Sequence, residues 1–343
     1  MDAMAEKDFP KFLKTLLAGQ ALTRARARDA MGAVLDGAAT EAQVGAFLAA
    51  LRVRGETVPE IVGFAEALRA RARRVKVKRA PLLDTCGTGG DGAGTFNIST
   101  TVAFIAAGAG AAVAKHGNRA VSSRAGSADV LEALGVRTDL APERVRALIE
   151  KIGIGFLFAP AHHPGVARAA PVRRQLGRTV FNLLGPLANP AGAPHQVLGV
   201  YSLDLVEPVA RALRALGGRS ALVVASRDGL DEISLSAPTK IARLSRGRVT
   251  VSEFKPENAG VKRRPLSALK GGDAKRNAAI LLGVLQGRPG AARDVSLLNA
   301  SAALQAAGLA KSWREGVALA AESIDTGRAL DALTALVRGS RGR

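Results

Sequence analysis

The chain has 343 residues and a formal charge of +20, from 49 Lys and Arg against 29 Asp and Glu. Its 48% hydrophobic content suffices for a sizeable core, which at 3% aromatics must be built from Ala, Val, Leu and Ile. The single cysteine, Cys86, excludes an intrachain disulfide or a cysteine-based zinc site and fits a reducing cytoplasm; the polar start MDAMAEKDFPKF lacks a signal core, and no run of about 18 apolar residues predicts a membrane span.

The length suggests two domains. The charge suits a polyanionic small substrate, nucleic acid, a membrane surface or simply a solvated basic face. The basic residues are partly clustered, as RARARRVKVKR from Arg69 to Arg79. No aromatic interleaves there, which disfavours single-stranded nucleic acid as the partner.

The first part reads as about four helices. Phe9, Phe12, Leu13, Leu16 and Leu17 have helical spacing. Thr23 is placed to cap a helix ending near Gly37. Thr40 with Gln43 forms a capping-box pattern ahead of a helix ending at Gly55, and Thr57 with Glu60 repeats it, with Pro59 in the first turn. After Pro81 short apolar stretches alternate with helical ones. Strands are expected at 82–85, 111–115, 155–158, 197–201 and 221–226, with helices near 98–109, 127–134, 142–151, 205–216 and 275–286. That alternation implies a mainly parallel sheet covered by helices, with ligands bound at the carboxyl ends of its strands.

Two loops carry the chemistry. DTCGTGGDGAGTFNIST, residues 84–100, follows the first strand with five glycines between Gly87 and Gly94. Glycines let the backbone approach a ligand closely, and successive amides form an anion nest. Asn97, Ser99 and Thr100 then open a helix, whose N-terminus favours phosphate. The spacing is neither that of a dinucleotide fingerprint nor that of a P-loop. AAVAKHGNRAVSSRAGS, residues 111–127, ends the next strand. Lys115 supplies a point charge, Arg119 a planar donor, His116 and Asn118 hydrogen bonds, and Ser122, Ser123 and Ser127 cluster before another helix. Elsewhere, His162 and His163 read as pocket wall or structure, His195 as a turn anchor and Cys86 as packing.

GTGGDG at 87–92, NIST at 97–100, KHGNRAVSS at 115–123, VRRQLGRTVFNLLGPLANPA at 172–191 and GLDEIS at 229–234 together resemble the anthranilate phosphoribosyltransferase family. The resemblance covers nearly the whole chain, with Gln175 and Val166 as visible departures. It implies a small N-terminal helical domain and a large α/β domain of the nucleoside phosphorylase/phosphoribosyltransferase type. The boundaries would be 1–76, with part of 171–185 packing on it, and 80–343. The implied reaction transfers the phosphoribosyl group of phosphoribosyl pyrophosphate (PRPP) to the amine of anthranilate, giving N-(5-phosphoribosyl)anthranilate and pyrophosphate in tryptophan biosynthesis. PRPP would meet Gly87, Gly90, Asp91, Asn97, Ser99, Thr100, Lys115 and Ser127, with Thr95 and Ser123 as weaker candidates. Anthranilate would meet Gly87, His116, Asn118 and Arg173. Ser99, Asp231 and Glu232 would hold Mg²⁺, directly or through water. Lys115, His116 and Arg173 would carry catalysis, with His116 read more as pocket lining than as proton acceptor. A homodimer joined through the helical domains is also implied. Two rivals remain at this point: a pyrimidine nucleoside phosphorylase, disfavoured by VRRQLGRT and KHGNR, and a nucleic-acid-binding homologue, motivated by the charge but not favoured.

Overall fold

The computed structural model describes residues 3–120 and 124–342. Four helices open it: α1 (Ala3–Leu17), α2 (Arg24–Asp36), α3 (Glu41–Arg54) and α4 (Val58–Ala70). Their starts follow local chemistry. The Arg26 amide donates to the Thr23 hydroxyl at 3.3 Å. Thr40 and Gln43 exchange bonds of 2.9 and 3.2 Å in a full capping box. At α4 the device differs from the sequence expectation. The Thr57 hydroxyl donates to Glu60 Oε2 at 2.7 Å, and Glu60 also accepts from the Thr57 amide at 2.9 Å. Glu60 takes a further bond from the Leu22 amide at 2.9 Å and pairs with Arg54, so one fully buried carboxylate ties α2, α3 and α4 together. Phe9, Phe12, Phe47 and Phe64 pack ring on ring through the bundle, with centroids 5.7–6.2 Å apart.

A seven-stranded sheet follows, in the order β3-β2-β1-β4-β5-β6-β7. Its strands are β1 (Leu82–Gly87), β2 (Ala112–Gly117), β3 (Ile154–Phe158), β4 (His195–Gly199), β5 (Ser220–Ser226), β6 (Thr239–Ser245) and β7 (Arg248–Phe254). The first five run parallel. The last two form an antiparallel hairpin on β5 that the sequence reading passed over. The reason is physical: β7 is an edge strand whose Arg248, Thr250, Ser252 and Glu253 are exposed, so no buried face writes a pattern into it.

Helices cover both faces: α5 (Ile98–Gly108), α6 (Ser127–Ala133), α7 (Pro142–Ile152), α8 (Ala159–His162), α9 (Ala170–Leu176), α10 (Phe181–Leu187), α11 (Val206–Ala215), α12 (Ala274–Leu285), α13 (Ala291–Ala306), α14 (Trp313–Asp325) and α15 (Arg328–Ser340). One face of the sheet packs on α5 and α12–α15. The other packs on α10 and α11, and its apolar cluster runs on without a break into α1–α4. α9 lies against α3, with Val172 3.8 Å from the space beside Gly45. No helix among the described residues is long and apolar enough to cross a membrane.

The chain winds from β1 outward through β2 to β3, then crosses back to β4 and β5. Strand order therefore reverses between β1 and β4, and in open parallel sheets the crevice at the carboxyl ends beside that reversal is where ligands sit.

Candidate active site

A cavity of about 330 Å³ opens at that crevice. Its floor is the glycine loop after β1. The loop is anchored where it leaves the strand: the Thr88 amide donates to Gly199 O at 2.9 Å, and the Tyr201 amide donates to the Thr88 hydroxyl at 3.2 Å. Gly89, Gly90, Gly92 and Gly94 all have φ between 63° and 77°, the left-handed region that glycine adopts without strain. At its far side the loop is pinned by Thr95, which bridges to Lys270, and by Gly271, whose amide donates to Gly94 O at 2.9 Å. Asn97, Ser99 and Thr100 then start α5 with its amide end towards the cavity. Asn97 is committed within the protein, donating to Ala125 O at 3.2 Å and accepting from Asn277 at 2.9 Å. The Thr100 hydroxyl is buried without a partner among the described residues.

Lys115, at the end of β2, is 4% exposed. Its ammonium donates to Thr85 O and lies 3.5 Å from the Ser99 hydroxyl. Behind it sits Asp84, fully buried on β1, which accepts from the His116 amide at 3.1 Å and from Asn189 Nδ2 at 2.8 Å. Burial pushes the Asp84 carboxyl up, and Lys115 and these donors pull against it. The sequence reading missed Asp84 and Asn189. The available signal was an aspartate inside an apolar strand, a placement that demands partners.

An acidic corner faces this lysine. Asp231 and Glu232 follow β5 and meet Asp91 of the glycine loop. Asp231 Oδ2 accepts from the Gly89 amide at 3.0 Å. The approach requires glycine twice: a Cβ at Gly87 would lie 2.7 Å from Asp231 Oδ2, and one at Gly199 would lie 1.6 Å from the Asp231 carbonyl. Withdrawal from solvent and the neighbouring Asp91 push the Asp231 carboxyl up to about 7. Desolvation and Asp231 likewise push Glu232 well above its ordinary value. Among the described residues no three His, Cys, Asp or Glu side chains form a complete metal cage. Crowded carboxylates beside a hydroxyl are nonetheless a donor set for a hard cation that completes its shell with water and phosphate oxygens, the usual habit of Mg²⁺.

The opposite wall carries His116 and Arg173. The His116 Nδ1 lies 3.1 Å from Gly185 O on α10, so it carries the proton and leaves Nε2 as a bare acceptor; Nε2 is buried without a partner among the described residues. Burial and the neighbouring His163 and His162 hold His116 well below its ordinary pKa, so it is neutral. Arg173, in the last turn of α9, stacks on Phe181 with its Cζ 4.9 Å from the ring centroid. Its Nε has no partner, it pairs with no carboxylate among the described residues, and desolvation lowers its pKa. A partly buried cation without an anion is an open anion site.

The cavity is lined by Gly87, Gly90, Asp91, Thr95, Asn97, Ser99, Thr100, Lys115, His116, Asn118, Ser127, Arg173, Asp231 and Glu232, residues that the sequence reading singled out. Ser123, the remaining one, lies outside the described residues, as does Ser122. Arg119 departs from expectation: it is not a free phosphate donor but pairs with Glu132 at 2.6 and 2.7 Å and with Asp129 at 3.2 Å. His162 and His163 are buried behind the wall, His162 Nδ1 2.8 Å from Arg73 O and the His163 ring 5.3 Å from that of His116 and tilted 59° to it. His195 is bound to Ala306 O at 2.8 Å, so it anchors the end of α13. Burial raises the Cys86 thiol well above its ordinary value, which leaves it inert. A wider depression of about 450 Å³ lies at the β6–β7 turn, lined by Arg243, Ser245, Arg246, Arg248 and Thr250. It has no carboxylate, histidine or glycine loop, so the chemistry is assigned to the smaller cavity.

Comparison with known proteins agrees with this geometry. Residues 79–330 match the glycosyl transferase family, a/b domain, and residues 10–72 its helical bundle domain. The anthranilate phosphoribosyltransferase of Symbiobacterium thermophilum is 55% identical over 318 residues, 92% of this chain and 93% of that one. The crystal structure of the Thermus thermophilus enzyme superposes with a TM-score of 0.91 at 46% identity, covering 96% of this chain and 99% of that one. The Saccharomyces cerevisiae enzyme in complex with PRPP and Mg superposes with a TM-score of 0.89 at 30% identity, covering 98% and 99%. That yeast enzyme is also known with 4-fluoroanthranilate, at 28% identity, a TM-score of 0.89 and full coverage of both chains. Fold, helical bundle and relatedness over more than nine-tenths of its length agree: the chain belongs to the anthranilate phosphoribosyltransferase family of glycosyltransferases.

Proposed function

We propose that the chain transfers the phosphoribosyl group of PRPP to the amine of anthranilate, releasing pyrophosphate, as a step of tryptophan biosynthesis. The observation that carries this reading is one cavity with two unlike ends. A glycine loop, a helix N-terminus and Lys115 form one end, and an anion-seeking Arg173 beside a neutral His116 forms the other. PRPP belongs on the first end. Free amides of the loop and of α5 suit its phosphates, and Lys115 adds a fixed charge where pyrophosphate gathers charge on leaving. The Gly87, Gly90, Asp91, Thr95, Asn97, Ser99, Thr100, Ser123 and Ser127 positions complete that end, and Asn118 joins Gly87 on the anthranilate side.

Anthranilate presents a carboxylate, which suits the fork of Arg173, and a neutral amine that attacks C1 as it stands. The bare Nε2 of His116 accepts an amine N–H and so aims the nitrogen lone pair. Placing the two reactants together is itself a large part of the barrier reduction. Ser99, Asp231 and Glu232, with Asp91 beside them, are the residues that would hold Mg²⁺. Bound there, it would act as a Lewis acid on the leaving pyrophosphate.

The same reading places the domains at 1–76 and 80–343, with part of 171–185 on the first, in the cytoplasm. It also makes the chain a homodimer joined through the helical bundle. The bundle supports this by exposing two apolar side chains, Leu17 at 70% and Val53 at 89%. The test is loss of anthranilate emission on mixing purified protein with anthranilate, PRPP and Mg²⁺. Loss that needs all three is expected; loss without PRPP, or none with folded protein, overturns the reading. Asp231→Asn with Glu232→Gln should remove most of the Mg²⁺-dependent rate, and unchanged metal dependence would overturn their role.

A further inference from the structure

Arg178 belongs to neither substrate group, yet it contacts the glycine loop from the segment that carries Arg173. It lies just after α9, the helix whose last turn carries Arg173. The turn between them is short: the Gly177 amide donates to Arg173 O at 2.9 Å, and Gly177 has φ 70° and ψ −121°, a conformation reserved for glycine. That reversal sends Arg178 back over the glycine loop. Its guanidinium lies 4.0 Å over the Tyr201 ring and donates to Gly90 O. A Cβ on Gly90 would lie 3.4 Å from Arg178 Nε. Tyr201 is itself fastened to the loop, its backbone amide donating a hydrogen bond to the Thr88 hydroxyl.

Among the described residues, two groups from other segments hold the loop at positions 89–91: Asp231, by its bond from the Gly89 amide and its contact with Asp91, and Arg178. Asp231 stands in the acidic corner. Arg178 is an exposed cation, and it pairs with no carboxylate among the described residues. A guanidinium has five donors, so it can keep the Gly90 carbonyl and the Tyr201 ring and still take an incoming phosphate oxygen.

We infer that Arg178 is a positioning residue that couples the two ends of the cavity, so that a phosphate-bearing ligand on the glycine loop tightens the grip of Arg173 on a carboxylate. This rests on the functional reading above. An anion on the loop fixes Arg178 from a third side. Fixing Arg178 immobilises the short stretch from Gly177 back to Arg173, and Arg173 then meets its ligand already ordered. Ordering paid at the first binding event is not paid again at the second, which is positive coupling. The result is an enzyme that holds anthranilate best when the phosphate end is filled.

The experiment titrates the full-length protein with anthranilate, by fluorescence, without and with saturating magnesium pyrophosphate, a pair that does not react. In the unmodified protein pyrophosphate should raise anthranilate affinity about fivefold or more, the lower range of measured couplings. In Arg178→Ala both ligands should still bind, and the ratio should fall to about one. Arg178→Lys should recover little, because an ammonium lacks the planar fork. Tyr201→Phe should keep the coupling, and Tyr201→Leu should lose most of it. A purely structural role would lower the melting temperature and leave the ratio unchanged. An undiminished ratio in Arg178→Ala, or in Arg178→Lys and Tyr201→Leu should the alanine variant not fold, overturns the inference, as does a ratio of one in the unmodified protein. Failure of the functional reading looks different: the unmodified protein would then not consume anthranilate with PRPP and Mg²⁺.

Discussion

Arg173 shows how much one side chain can say about a ligand. It stacks on Phe181, is largely withdrawn from solvent and has no acidic partner among the described residues. Leaving a charge so placed is costly unless a ligand answers it. Arg173→Ala should therefore raise the KM for anthranilate roughly 10- to 100-fold, the worth of a charged hydrogen bond, and leave the KM for PRPP within a fewfold. Steady-state rates over both substrates check this, and equal effects on both constants would sink the assignment. At this scale the sequence was legible where a residue type is its own evidence. Lys115 and the glycines of 87–94 were found from type and spacing alone, whereas Asp231 came only with the family resemblance. Arg119 and Arg178 show the limit. Both are arginines beside a recognised loop. Only the structure reveals that Glu132 neutralises the first and that the second has no carboxylate partner among the described residues.

Among the elements, the helical bundle depends on Glu60. Desolvation pushes this carboxyl up, but Arg54, the Leu22 amide and Thr57 together outweigh it and hold its pKa below the ordinary value. Its stabilising contribution is thus complete above the ordinary carboxylate range and is lost as pH falls through the lowered folded value. Glu60→Gln should cost about 3 kcal/mol at neutral pH, since it breaks a buried pair from one side. The variant should also lose part of the acid limb of its stability curve. Urea unfolding of both proteins at pH 7 and pH 4 measures both effects, and equal pH dependence would exclude the role. Capping patterns made the bundle readable, because a cap is a local contract between residues three apart. The β6–β7 hairpin was not readable. Its strands depend on pairing with β5, and the outer one has no buried face to impose alternation.

Over the whole molecule, the helical bundle and one sheet face share a continuous core through α10 and α11. His116, His162 and His163 are buried where these parts join, tied to Gly185 and Arg73. Burial holds all three below their ordinary pKa, aided by His163 and His162 at His116, by the Arg73 charge at His162 and by His162 at His163, which falls to about 4. Below about pH 6.5 the unfolded chain binds protons that the folded chain refuses, so stability falls as pH drops towards about 4. His163 alone accounts for roughly 2 kcal/mol between pH 6.5 and 5. Denaturant unfolding should show that slope, and His163→Asn should flatten it; a variant with the same slope would rule the residue out.

The helical start, the parallel βα alternation, the glycine-rich loop and the family were all readable in the sequence, because each is written in residues close together in the chain. Tertiary structure decided which distant groups meet. Asp91 meets Asp231 across 140 positions, Asp84 meets Asn189 across 105, and Arg178 meets Gly90 across 88. Such meetings depend on the strand order that sets β4 beside β1, and strand order is chosen by the packing of whole faces, which no local run of residues records.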